Sequence, residues 1–597
     1  MAFIQDSEAI RDRVARTTGV TLPWAVRVAE GEGLRVTLTG EEACVVAEDA
    51  NALARGYFLL SRALRERRRE MDTVQRRHIA SCGVMLDMSR GSVMKVEAVK
   101  RYIDQLAALG LNLLMLYTED TYEVPEYPYF GHLRGRYTQA ELREIDSYAA
   151  SMGVELVPCI QTLAHLAQFL QWKESHALQD NPDILLADDE AVYRLIEAAI
   201  RAMRNAVRTN RIHIGMDEAD GVGLGRYYHK HGPTDRFLLL NRHLARVTDI
   251  CRQVGFEPIM WSDMFFHLGS KTHDYYDLEA EVPQHVIDAL PPVSLCYWDY
   301  YHDDESFYDR MLSAHERMTP DTVFAGGIWT WSGFLPQVKR TEATMLPALR
   351  ACAKHGTQMV LATMWGDDGA ETNQFLASGL LPIFSEAVWQ GADYPFSEVE
   401  GACACLTGLP YDVLRAYGEF YPSAKDQRTG KGLIWCDILY PLMTWGDDSA
   451  DAAIDRARRA LNVLSAYDDR LECRYAALLM RVAEGKALLV RDLRSRYLAK
   501  DAAYLRQAAE NDIPRLLALY EELQRCHRTL WERDMKRFGW EVLSLRYGAV
   551  MNRLRDAADE LLRYLDGQLR CVEALEEEPL PAQRNGQHFR ALVTPTV

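Results

Sequence analysis

The chain has 597 residues, enough for several domains or for one large barrel with additions. Its hydrophobic content of 48% and charged content of 26% are those of an ordinary globular protein. A net charge of −18 makes nucleic acid and anionic membranes poor partners and is compatible with a neutral ligand such as a sugar.

The first residues, 1–16, mix acids and bases around no apolar centre and do not read as a signal peptide. No run of about 18 apolar residues suggests a membrane span. The twelve cysteines are scattered and form no CxxC pair; Cys82, Cys159 and Cys296 sit in apolar runs. They read as reduced, buried thiols of a cytoplasmic protein.

Residues 1–77 read as an N-terminal α+β domain. Ala25–Ala29 and Leu34–Thr39 alternate apolar and polar residues, as half-buried strands do, and Ala43–Ala47 is a third short strand. Helical spacing then runs from Asn51 to Arg69, where a basic run ends it as a solvated helix terminus.

Residues 78–395 repeat a pattern of apolar strand, polar loop and amphipathic helix. The expected strands are Ile79–Met88, Asn112–Tyr117, Val154–Ile160, Ile212–Met216, Pro258–Trp261, Val293–Trp298, Val323–Trp329 and Met359–Trp365. Helices are expected over Val96–Leu109, Thr138–Met152, Glu190–Val207, Asp235–Val254, Thr341–His355 and Glu371–Trp389. Strands this apolar are buried on both faces, which implies a parallel sheet covered by helices. Eight such units in roughly 310 residues match an α/β protein of the (β/α)8 TIM-barrel class. An open doubly wound sheet is the weaker alternative, because no GxGxxG loop follows any strand. Residues 396–597 change style. Ala450–Ser465, Arg470–Ala499, Ile513–Asp534 and Trp540–Leu565 are helical, which suggests an α-helical C-terminal domain that offers a face for a homodimer. The tail from Glu576 reads as a loop or extension.

In a barrel the active site lies at the C-terminal ends of the strands. There the sequence places Asp87 and Arg90, Glu119 and Asp120, His165, Asp217 and Glu218, Trp261 and Asp263, then Tyr297 to Asp303, Trp329 and Trp331, and finally Trp365 with Asp367. Five of the twelve tryptophans are among them. Indole faces pack on the apolar faces of sugar rings, while carboxylates and Arg bind hydroxyls, so the mixture suggests a carbohydrate pocket. A metal site from His213, Asp217 and Glu218 has neither an HExxH motif nor repeated histidine spacing behind it, so no metal or cofactor is expected.

Several of these segments resemble glycoside hydrolase family 20, the β-N-acetylhexosaminidases, over about residues 20–390. His213-Ile214-Gly215-Met216-Asp217-Glu218 is similar to the family's H-x-G-G-D-E signature, with Met216 for the second glycine. Thr118-Glu119-Asp120, Tyr137-Thr138 and Pro158 to His165 follow in the family's order, with Cys159 and Gln161 in place of acids. Asp87-Met88-Ser89-Arg90 and Trp365-Gly366-Asp367 resemble its strand-one and strand-eight motifs. The helical third is similar to that of bacterial, intracellular-type members.

The resemblance implies an exo-acting hydrolase that removes terminal β-linked GlcNAc or GalNAc from a small glycan with retention. The substrate's own 2-acetamido oxygen would be the nucleophile. Glu218 would be the general acid and then base, Asp217 would accept the acetamido N–H, and Tyr301 would aim its oxygen. Trp261, Trp329 and Trp365 would wall the N-acetyl group, while Arg90 and Asp367 would bind the outer hydroxyls. Asp303 would accompany Tyr301, with Tyr297 and Asp299 as the alternative pair. His165 and Asp120, with Glu119, would support the acids. A barrel glycosidase with its own nucleophile, for example Asp299 or Asp367, and a non-enzymatic sugar-binding protein are the competing readings. Neither the choice between GlcNAc and GalNAc nor the aglycone follows from the residues.

Overall fold

The computed structural model describes residues 2–331, 333–442, 448–578, 580 and 589–593. An N-terminal helix, Ser7–Thr18, precedes strands β1 (Val26–Glu30), β2 (Leu34–Thr39) and β3 (Glu42–Ala47). Helix Ala50–Arg65 follows, buried along most of its length under an Asp49 cap. It ends four residues earlier than its sequence pattern suggests, because Arg67 turns the chain with a φ of +58°. The chain then forms β4 (Glu70–Gln75), an edge strand whose largely exposed residues carry no apolar alternation. The sheet order is β1-β3-β2-β4, parallel only between β1 and β3.

The next eight strands are β5 (Ser81–Asp87), β6 (Leu113–Tyr117), β7 (Glu155–Cys159), β8 (Arg211–His213), β9 (Glu257–Trp261), β10 (Ser294–Trp298), β11 (Thr322–Gly327) and β12 (Met359–Met364). They close into a parallel barrel in which β12 pairs with β5, from Met359 opposite Ser81 to Met364 opposite Leu86. Almost every strand residue is buried, as expected when helices cover the outside and side chains fill the inside. Five of the expected barrel helices are present with ends shifted by three residues or fewer. Expected helix Glu371–Trp389 is instead a 3-10 segment, Gln374–Leu380, followed by helix Pro382–Gln390. Pro382 cannot donate within a helix interior and so opens a new one.

The N-terminal unit is tied to the barrel by a buried ion pair. Arg55 donates to Glu386 Oε1 at 3.0 Å and Oε2 at 2.9 Å, and both side chains are fully shielded from solvent. After the barrel, helices Phe396–Thr407 and Ala450–Leu464 lead to the long helices Leu471–Leu498, Ile513–Asp534 and Trp540–Leu565. A short helix, Glu573–Glu576, precedes the tail, which carries another at Phe589–Val593 where a loop or extension is expected; its residues 579, 581–588 and 594–597 lie outside the described residues. No described helix is long and apolar enough to cross a membrane. Ten of the twelve cysteines are buried.

Candidate active site

Strand β8 is short because the chain leaves extended geometry at once: Gly215, Met216 and Glu218 have φ of +73°, +73° and +50°. Gly215 has no alternative. A Cβ there would meet Gln161 Oε1 at 2.0 Å. Two side chains hold the turn. Gln161 Oε1 accepts the Met216 N–H at 3.1 Å, and Asp263 Oδ2 accepts the Glu218 N–H at 2.8 Å. The result separates two neighbouring acids. Asp217 is buried, whereas the Glu218 side chain is 42% exposed and lines an open cleft of about 680 Å³.

Both oxygens of Asp217 are engaged. Gln161 Nε2 donates to Oδ1 at 2.6 Å, and His165 Nε2 lies 3.1 Å from Oδ2. Gln161 Nε2 also reaches the Tyr117 hydroxyl at 2.9 Å. An amide at position 161 therefore donates to Asp217, where an acid would repel it. Burial opposes ionisation of Asp217, but His165 and the Gln161 hydrogen bond hold its carboxyl below the ordinary value. His165 Nε2 is also 3.4 Å from Glu218 Oε2. Burial pulls its pKa down, and the two carboxylates, Asp217 foremost, more than offset this and hold it well above 6.5. Asp263 is in the opposite position. Burial and then the Asp217 charge push its carboxyl well above its usual range.

Strands β5, β6 and β12 build the other wall. Arg90 Nη1 lies 3.1 Å from Asp87 Oδ2 and 3.8 Å from Asp367 Oδ1, and its Nε lies 3.1 Å from Glu119 Oε1. Its guanidinium lies over the rings of Tyr117 and Trp365, at 4.8 Å and 5.3 Å. Asp87 Oδ2 also accepts the Gly366 N–H at 2.9 Å, which locks strand eight to strand one. Burial lifts Glu119 to about 7 despite the opposing charges of Arg90 and His165. Asp120 turns away, toward Arg134 at 3.2 Å. Tyr137 and Thr138 serve the fold: the Tyr137 hydroxyl donates to the Met94 carbonyl, and Thr138 forms a capping box with Glu141.

The aromatic wall differs in part from expectation. Trp261 packs on His213 at 4.3 Å and approaches Trp365 at 6.1 Å, so these two indoles meet under the site. Trp329 is covered: Trp331 stacks on it at 3.8 Å and the Arg340 guanidinium sits 4.3 Å over its ring, which leaves only an edge for Tyr300 and Tyr301. Asp303 is not brought to the site; its side chain is 57% exposed and lies 3.9 Å from Lys425. Tyr297 points behind β10, where its hydroxyl donates to Asp299 at 2.7 Å. Tyr301 is 46% exposed and stands at the mouth of the cleft with Glu218. The inner position belongs to Tyr300, which strand counting misses. Its ring stacks on Trp298 at 5.4 Å and meets Trp331 edge-on at 5.0 Å, within the field of Glu218 and Asp367. The physical reason is a turn. Asp299 Oδ1 accepts the N–H groups of both Tyr301 and His302, so the two-residue alternation of β10 stops at Asp299. No group of histidine, cysteine or acid side chains among the described residues is arranged to hold a metal ion.

A closed parallel barrel whose rim carries a buried acid, an adjacent accessible acid and an Arg-bound acid among indoles is that of a (β/α)8 glycoside hydrolase. Residues 82–280 match the family model of the glycosyl hydrolase family 20 catalytic domain, and residues 422–594 match the glycoside hydrolase 20C C-terminal domain. The chain belongs to glycoside hydrolase family 20 and is an enzyme of the β-hexosaminidase class. Hexosaminidase D of Bos taurus is 28% identical over 263 residues, covering 42% of this chain and 69% of that protein. Human hexosaminidase D is 27% identical over 235 residues, 37% of this chain, and the match spans less than half, 45%, of the human protein. Among solved structures, an exo β-N-acetylglucosaminidase of Vibrio harveyi in complex with N-acetylglucosamine is similar at 15% identity and a TM-score of 0.49, covering 70% of this chain and 73% of its own.

Proposed function

We propose that this protein is an exo-acting, retaining β-N-acetylhexosaminidase that works by substrate assistance in the cytoplasm. The reading rests on the contrast between two sequence neighbours: Asp217 is buried with both oxygens engaged, and Glu218 opens onto the cleft. A carboxylate so fully held makes a poor nucleophile but a good fixed charge. In the first step the acetamido oxygen attacks C1 and the C1–O bond to the aglycone breaks. Glu218 gives its proton to the leaving oxygen. Asp217 accepts the acetamido N–H and stabilises the positive charge of the oxazolinium ion. In the second step water attacks C1, Glu218 takes its proton, and the acetamido group is restored. Tyr300 is the residue we assign to the acetamido oxygen, with Trp261 and Trp365 as the walls. Arg90 and Asp367 receive the outer hydroxyls, and Glu119 and His165 support the acids. The burial of ten of the twelve cysteines fits thiols of a reducing compartment. In this reading the chain divides into an N-terminal α+β domain, 1–77, the catalytic barrel, 78–395, and a C-terminal domain, 396–597.

The deciding measurement is hydrolysis of the nitrophenyl β-glycosides of GlcNAc, GalNAc, glucose and galactose. The 2-acetamido sugars should be cleaved at least about a hundredfold faster, since only they carry the nucleophile. Comparable rates on glucose would sink the mechanism. Labelling of the protein by a 2-fluoro sugar would point instead to a nucleophile of its own.

A further inference from the structure

The loop after β12 carries Asp367 on strained backbone. Asp368, Gly369 and Ala370 follow one another with φ of +56°, +99° and +50°. Two of these three residues have side chains, for which that region is costly, so neighbouring contacts must impose it. On the barrel side the hold is the Asp87 bond to the Gly366 N–H. On the outer side the hold comes from the helical third. Lys431 Nζ lies 2.6 Å from Asp368 Oδ2 and 2.8 Å from Glu371 Oε2. Arg546 lies 2.9 Å from Asp368 Oδ1 and 2.7 Å from Glu371 Oε1, and it donates to the Asp368 carbonyl at 2.6 Å. Trp435 Nε1 donates to Glu371 Oε1 at 2.6 Å, and the Phe589 N–H donates to Asp368 Oδ2 at 3.0 Å. Lys431 is fully buried and Glu371 is 2% exposed, so two cations and two anions balance one another away from water. Arg546 also lies flat on the loop, 3.0 Å from where a Cβ on Gly369 would be.

We propose that Lys431 and Arg546 are positioning residues for Asp367: by holding Asp368 and Glu371 they set the neighbouring strand-eight acid in front of Arg90, and the helical third thereby completes the sugar-binding site. Neither residue touches the sugar. The inference rests on the functional reading in which Asp367 binds a substrate hydroxyl.

The test compares 4-nitrophenyl N-acetyl-β-glucosaminide with its 4-deoxy and 6-deoxy analogues. Arg546→Lys keeps the charge but cannot reach Asp368 and Glu371 together. It should raise KM about tenfold on the parent sugar with kcat within about twofold, the signature of lost binding shared by ground and transition states. On the analogue lacking the hydroxyl that Asp367 binds, which Asp367→Asn identifies, the penalty should vanish. A structural role alone would penalise all three sugars equally, and that result, or an unchanged KM, overturns the proposal. The charge-balanced double variant Lys431→Met/Asp368→Asn gives the same comparison if Arg546→Lys does not fold, and parental KM values in it overturn the proposal too. Failure of the unaltered protein to cleave the parent glycoside counts against the functional reading. Its ability to bind free N-acetylglucosamine, with weaker binding in Arg546→Lys, still decides the positioning role.

Discussion

His165 Nε2 lies 3.1 Å from Asp217 Oδ2 and 3.4 Å from Glu218 Oε2, so one imidazole stands between two adjacent carboxylates. Both carboxylates favour its protonated form. Because the folded-state pKa of His165 is raised, its stabilising effect is fully present below the unfolded value of about 6.5 and is lost as pH rises through the folded value. Asp217 is depressed and acts oppositely: its contribution is present above about 3.9 and is lost as pH falls through the folded value. Urea unfolding of the unaltered protein should therefore show a decline in stability above about pH 6.5 that His165→Asn lacks. Identical slopes in the two proteins would remove His165 as the source.

Glu218→Gln separates proton donation from the rest of catalysis. For aryl glycosides with poor leaving groups, kcat/KM should fall by about 10²–10⁴, because the departing oxygen must be protonated. For a dinitrophenyl leaving group the loss should be far smaller. Equal losses would rule out Glu218 as the acid.

Tyr300 and Tyr301 make different predictions although they are neighbours. Tyr300→Phe removes a hydroxyl that lies within the field of Glu218 and Asp367, and it should lower kcat on 2-acetamido sugars by about 10²-fold, the cost of one oriented donor. Tyr301→Phe alters a half-exposed residue at the cleft mouth and should act mainly on KM for larger aglycones. The reverse ranking would return the inner role to Tyr301.

Arg55→Met tests the joint between the N-terminal unit and the barrel. It leaves Glu386 buried without its bidentate partner and should cost about 3–5 kcal/mol. Replacing both residues, as Arg55→Met/Glu386→Leu, should recover most of that loss in a denaturant titration. If the single and double variants are equally unstable, packing outweighs charge at this joint.

The barrel and the acid pair are legible in the sequence for a plain reason. Strands buried on both faces are continuous apolar runs, and the residues that end them fall on one rim. Arg90, His165, Asp217, Glu218 and Asp367 stand where that rule puts them. What escapes it depends on side chains that arrive from far along the chain or that break a period. Strand β4 escapes because an edge strand can be polar on both sides. Tyr300 escapes because Asp299 bends the backbone where alternation would favour Tyr301. Trp329 reads as a pocket residue, but Arg340, from helix Val338–Lys354, covers it. The roles of Lys431 and Arg546 are invisible at this level, since only folding brings them to Asp368.

The turn at Glu218 also has a bearing on how the protein comes into being. The amide of the residue that would donate the proton is held by Asp263, its partner acid opposite Arg90 sits on a loop gripped from positions 431 and 546, and Phe589 closes over the same loop. A chain emerging from the ribosome therefore holds every candidate acid by residue 367, yet the contacts that orient them are complete only once residue 589 has been made. Full affinity for the sugar should therefore arrive later in synthesis than the acids themselves.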